Sequence, residues 1–135
     1  MKSKHVALIG APTDIGAGTR GASMGPEALR VAQLQPVLEA QGIVVHDRGN
    51  LGGPANPWQP PVDGYRHLRE VVEWNRLVHE AVHAELGADR LPILLGGDHS
   101  LAIGSIAPRP GIVAPPAASS ACCGSMRTPT STRAC

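Results

Sequence analysis

An α/β fold with a parallel sheet covered on both faces is what this 135-residue sequence predicts. Three apolar runs, Val6 to Ile9, Ile43 to Val45 and Leu91 to Leu95, are continuous rather than alternating, the pattern of strands buried on both sides. Segments with helical spacing lie between them, as crossovers between parallel strands require. Glycine- and proline-rich stretches follow the runs, where an α/β frame carries its binding loops. All three runs read as interior strands.

The first run is closed by Gly10. A helix is expected to open at Gly25-Pro26-Glu27, with proline at its first position and an acid in its first turn, and to carry Ala28, Leu29, Val31, Ala32 and Leu34. Pro36 should interrupt it, because proline fits a helix only in the first turn, so Gln35 to Ala40 reads as a second short helix. The second strand follows Gly42. The stretch "GNLGGPANPWQPPVDG" then reads as a surface loop. A longer helix is expected from about Gly64 to Leu86, with Leu68, Val71, Val72, Val78, Val82 and Leu86 as its buried stripe and Gly87 as its end. The third strand, Leu91 to Leu95, breaks into Gly96-Gly97-Asp98-His99-Ser100 and a short helix, "SLAIGSIA".

Twelve Lys and Arg against eleven Asp and Glu leave a formal charge of +1, which gathers neither nucleic acid nor anionic lipid. Val6 to Ile9 is far too short for a signal-peptide core or a membrane span, so a cytoplasmic protein is expected, with no nucleic-acid and no membrane partner. The body and the end of the chain differ. Residues 1–107 hold nine basic and eleven acidic groups, whereas "PRPGIVAPPAASSACCGSMRTPTSTRAC" has five prolines, three arginines, no acid and no periodicity. Cys122, Cys123 and Cys135 all lie in this tail and match no zinc spacing, so they are given no role.

Three motifs carry possible chemistry. Gly16-Ala17-Gly18-Thr19-Arg20-Gly21 spells G-x-G-x-x-G, with Asp47 placed as a ribose-binding acid would be. That motif works by leading a strand straight into a helix N-terminus, and here the helix begins only near Pro26, so a plain glycine-rich loop is preferred. His79-Glu80-Ala81-Val82-His83 spells the H-E-x-x-H of a small zinc metalloprotease, but no third ligand is evident, and a polar helix flank explains it as well. The third is "GGDHS". A buried strand delivers Asp98 and His99 to its carboxyl end, where open α/β sheets bind ligands; a capping turn that starts the next helix is the rival explanation.

"LPILLGGDHSLAIGSI" resembles the strand, loop and helix of the ureohydrolases, the arginase and agmatinase family, and "IGAPTDIGAGTRGASMGPEALR" resembles that family's opening strand, glycine loop and first helix. The resemblance covers residues 5 to about 107. It implies the three-layer α/β/α ureohydrolase fold with a mainly parallel sheet, of which this chain holds an N-terminal fragment (residues 1–107), followed by a non-native tail (108–135). It implies arginase-type hydrolysis of the guanidinium group of L-arginine to ornithine and urea, with agmatinase as the alternative. Two manganese ions would lower the pKa of a shared water so that hydroxide attacks the guanidinium carbon. His99 would be a metal ligand and Asp98 a group supporting it; the catalytic residues would be missing from the chain. The intact protein would be a homo-oligomer. A non-catalytic binding fragment is the remaining alternative.

The family's other ligands come first from a D-A-H-A-D strand, absent here. Residues Cys122 to Arg133 can be encoded so that the same RNA, read one base back, spells Val-Leu-Trp-Leu-Asp-Ala-His-Ala-Asp-Phe-Asn-Thr. The residues beyond about Ala107 are therefore expected to be an out-of-frame translation, and the chain as written to be inactive. The polar residues after the recovered motif favour arginase over agmatinase.

Overall fold

The computed structural model describes residues 4–107, and the tail expectations lie outside them. Strand β1 (His5–Ala11) leads through a loop and a 3₁₀ turn (Ala22–Met24) into helices α1 (Gly25–Val31) and α2 (Leu34–Ala40). Strand β2 (Val44–Asn50), helix α3 (Leu68–Gly87) and strand β3 (Leu91–Gly96) follow. A 3₁₀ turn (His99–Leu101) and helix α4 (Ala102–Ile106) end the described chain. The strands are parallel, in the order β2-β1-β3.

The two faces of the sheet are covered as the continuous apolar runs predict. Val6, Leu8 and Leu95 pack with Leu34 and Leu38 on the α1/α2 side. Ile9, Ala11, Ile15 and Leu101 pack with Trp74, Val78 and Val82 of α3 on the other. Among the described residues, however, only β1 has a strand on each side. β2 and β3 flank it, and β2 is exposed or half-buried along its whole length, which corrects the expectation of three interior strands.

β2 also runs five residues past Val45, through the polar His46 to Asn50. A bulge makes this extension useful. Leu8 pairs with Asp47 but Gly10 pairs with Asn50, so β2 holds one extra residue there. Asp47 and Asn50, three apart, would face opposite sides of a regular strand; the bulge lets both reach Arg30 of α1. Arg30 donates to both oxygens of Asp47 at 2.8 and 2.9 Å and to Asn50 Oδ1 at 2.6 Å.

The break between α1 and α2 falls at Ala32-Gln33, not at Pro36. Gln33 takes a left-handed conformation (φ 64°) and starts α2, which places Pro36 in the first turn, where its missing N–H is not needed. The stripe of α3 is rotated from the one expected. Trp74, Val78, Val82 and Glu85 are buried, whereas Leu68, Val72 and Leu86 are at least half exposed. Trp74 sets this phase: its indole N–H donates to the Pro54 carbonyl at 2.8 Å, pinning the loop after β2 against the helix. Glu85 tolerates burial because Arg48 and Arg90 both pair with it.

Candidate functional site

Because the strands are parallel, the loops after β1, β2 and β3 all emerge at one end of the sheet, and they are joined there. Asp98 is the joint. Its backbone N–H donates to the Thr13 carbonyl at 3.2 Å, Oδ2 accepts from Gly16 N–H at 2.7 Å, and Oδ1 accepts from Ser100 N–H at 2.8 Å. The last bond caps the 3₁₀ turn, so the capping role is realised. Asp98 is therefore both a cap and a strap across two loops. Neither oxygen is spent on the His99 ring.

Two glycines of the quoted motifs are explained by backbone proximity. A Cβ on Gly97 would overlap the Thr13 carbonyl, and one on Gly25 would overlap the Gly96 carbonyl. The first contact brings the β1 loop against the β3 turn, and the second brings the start of α1 against the end of β3. These are two of the places where the two sequence blocks touch.

The loop after β2 is tied in by side chains that sequence reasoning did not single out. Asp14, buried, accepts from Gly21 N–H at 3.3 Å, from the Ser23 hydroxyl at 3.5 Å and from Asn56 Nδ2 at 3.1 Å. Asn56 also donates to the Asp14 carbonyl at 3.0 Å. His67, buried and left-handed at the start of α3, donates from Nδ1 to the Ile15 carbonyl at 3.0 Å and accepts at Nε2 from Gln59 N–H at 3.1 Å. Arg20 lies over the Trp58 ring, 4.8 Å from its centroid. "P-T-D" directly after a buried strand was the available signal for Asp14; nothing local marks Asn56 or His67.

His99 stands on the turn that Asp98 caps. It is exposed at the carboxyl end of β3, and among the described residues no hydrogen bond engages its ring. The same residues contain no group of three or more His, Cys, Asp or Glu side chains arranged to hold a metal. They supply one accessible imidazole and do not by themselves build a two-metal cage.

The other two motifs are spent on structure. In the glycine loop, the N–H groups of Gly16 and Gly21 bond the Asp98 and Asp14 carboxylates instead of facing outward to a phosphate, and Asp47 is clamped by Arg30. That ion pair holds the Asp47 carboxyl below its usual range and raises the Arg30 guanidinium, in both cases chiefly through their hydrogen bonds. In H-E-x-x-H, His79 Nδ1 donates to the Gly104 carbonyl at 3.3 Å and His83 Nε2 to the Ala107 carbonyl at 3.1 Å. Glu80 pairs with Arg76. One nitrogen of each ring thus anchors α4 to α3.

A parallel sheet with helices on both faces, its loops strapped together at the carboxyl edge beside an accessible histidine, defines an α/β domain. The family model described as "Arginase family" matches residues 4–109, and the chain belongs to the arginase family, a family of hydrolases. It is 38% identical over 105 residues to an arginase of Brevibacillus brevis, a match covering 78% of this chain and 35% of that protein. With an arginase of Brucella melitensis biotype 1 it shares 37% over 109 residues, covering 80% and 34%. Among solved structures, the native arginase of Bacillus caldovelox superposes with a TM-score of 0.68 at 38% identity, covering 76% of this chain and 35% of that one. The Entamoeba histolytica arginase in complex with L-ornithine gives 0.68 at 29%, covering 78% and 36%. The chain spans about a third of the length of the curated relatives it matches. Among the described residues no helix is long and apolar enough to cross a membrane.

Proposed function

We propose that this chain is the amino-terminal portion of an arginase-type ureohydrolase, and that the intact protein hydrolyses the guanidinium group of L-arginine to ornithine and urea. The observation that carries this reading is His99: an accessible imidazole on an Asp98-capped turn at the carboxyl end of β3, in a chain of the arginase family. The relatives' names support arginase over agmatinase, and the L-ornithine bound to the Entamoeba histolytica arginase supports a substrate of that shape.

In this reading His99 is one ligand of a manganese centre and Asp98 positions it by fixing the turn. The described residues place no group of three metal-ligating side chains around it, and the neighbouring Asp98 carboxylate is held by the Gly16 and Ser100 N–H groups, so no catalytic step is assigned to them. Carboxylates are needed, because hard divalent cations take oxygen donors and a pair of cations needs their negative charge. The shifted reading of residues 122–133, with its Asp-Ala-His-Ala-Asp, supplies such donors, and the tail as written is proposed to be out of frame.

The test is direct. The gene is sequenced across the codons for Ala107 to Cys135, and the frame is restored by a one-base change. The restored protein should release urea from L-arginine when supplied with Mn²⁺, and His99→Ala should abolish that release without unfolding it. Codons that do not spell the acidic motif when shifted would refute the tail reading. Full urea release by the His99→Ala variant would refute the ligand role.

A further inference from the structure

At the amino end of the sheet, opposite the edge that carries His99, His5 of β1 and His46 of β2 form a pair. His5 Nδ1 lies 3.2 Å from His46 Nε2, and the rings stack with centroids 5.5 Å apart and 23° between their planes. Both side chains are half-buried. We propose that this pair is a two-imidazole site for a late divalent transition ion, Zn²⁺, Ni²⁺ or Cu²⁺, separate from any centre at His99.

The spacing carries the proposal. Two nitrogens each about 2.0–2.1 Å from a tetrahedral zinc are about 3.3 Å apart, and cis nitrogens in a square plane are about 2.9 Å apart. The 3.2 Å seen here falls between those values. Without a metal, the two nitrogens share one proton, one ring donating to the lone pair of the other. An ion replaces that proton and takes both lone pairs, which requires each ring to turn by about 35–45° so that the lone pairs converge off the N–N line, a change its broad terminal torsion allows. Imidazole donors favour zinc, nickel and copper over the harder manganese and magnesium, so this site differs in selectivity from an oxygen-rich cage.

The surroundings permit a cation. Arg48, two residues along the same face of β2, and Arg90 are both tied to Glu85 and partly neutralised by it. His5, though not His46, lines an open pocket with Lys4, Ile43, Asp89 and Arg90, so water reaches the ion from the His5 side. The other histidine pair, His79 and His83, has already committed one nitrogen of each ring to a carbonyl of the α4 segment. His5 and His46 are 41 residues apart, so an ion held between them would close the β1–β2 pairing and stabilise the folded state over the unfolded one.

The experiment titrates Ni²⁺ into the full chain with its thiols alkylated, following the histidine ring signals by heteronuclear NMR. The His5 and His46 signals should broaden together, before those of His79, His83 and His99. His46→Gln should weaken binding at least tenfold, and His83→Gln should leave it within about twofold. Zn²⁺ should raise the unfolding midpoint of the parent chain and not that of His46→Gln. If buried Trp74 emission shows that His46→Gln has unfolded, His5→Gln takes its place. First broadening at another histidine, unchanged affinity in both substituted chains, or no histidine broadening at millimolar Ni²⁺ would overturn the proposal.

Discussion

Asp98 and Gly16 are 82 residues apart in sequence, yet the Asp98 carboxylate accepts the Gly16 N–H at 2.7 Å, and its other oxygen accepts Ser100 N–H. Removing the carboxylate strips two backbone donors of their acceptor. Asp98→Ala should destabilise the chain by about 2 kcal/mol, and Asp98→Asn, which keeps one acceptor oxygen, by about half of that. Urea unfolding followed by tryptophan emission measures both. Equal losses for the two variants would mean that the carboxylate does not bridge the loops.

Gly97 should tolerate no side chain, because a Cβ there overlaps the Thr13 carbonyl, which is itself held by the Asp98 N–H. Gly97→Ala is expected to destabilise by about 3 kcal/mol or more, since backbone must move on one side or the other. Gly18→Ala is the control: a Cβ at Gly18 meets nothing within 4 Å, and the change should stay within about 0.5 kcal/mol. Thermal melts of the two variants should separate by several degrees.

His67 and His99 should behave as opposites. His67→Ala breaks one buried and one part-buried hydrogen bond between loops and should lose about 2–3 kcal/mol. His99, exposed and free of such bonds among the described residues, should be replaceable by alanine within about 0.5 kcal/mol. A large loss at His99 in chemical denaturation would assign it a structural role and weaken its reading as a ligand.

The Arg30–Asp47 pair should make stability fall in acid. The folded-state pKa of Asp47 lies below its unfolded value of 3.8, so its contribution is fully present above that value and is lost as pH falls through the lower folded one. The side chains are a fifth and a quarter exposed, which limits the effect to about 1 kcal/mol. Asp47→Asn should therefore flatten the stability profile below about pH 4 relative to the parent chain. An unchanged slope there would show that the pair adds no net stability.

Much of this architecture can be seen in the residues themselves. The runs Val6 to Ile9 and Leu91 to Leu95 lie within β1 and β3, and Ile43 to Val45 overlaps the start of β2, because aliphatic residues favour strands; Gly25-Pro26 and Gly87 mark helix ends for local backbone reasons. What local pattern does not carry is anything decided by a distant partner. β2 continues through His46 to Asn50 because β1 and Arg30 hold it, not because those residues prefer strands. Glu85 is buried because arginines from two other segments reach it. Leu68 and Val72 fit a helical stripe, yet Trp74 turns the helix toward the loop it bonds. At the site, "GGDHS" places Asp98 and His99 correctly after a strand, but the strap from Asp98 to Gly16 and the links through Asn56 and His67 depend on loops converging from separate parts of the chain.

That convergence has a temporal side. The strap at Asp98 joins a loop made near the start of synthesis to a turn made about 80 residues later. While the chain emerges from the ribosome, the segment after β1 has no acceptor for its Gly16 N–H until β3 has been translated and docked. Closing so long a loop is slow relative to forming α3, so the strap between the β1 loop and the β3 turn would form late, and a ribosome stalled before Gly97 would release a chain that lacks it.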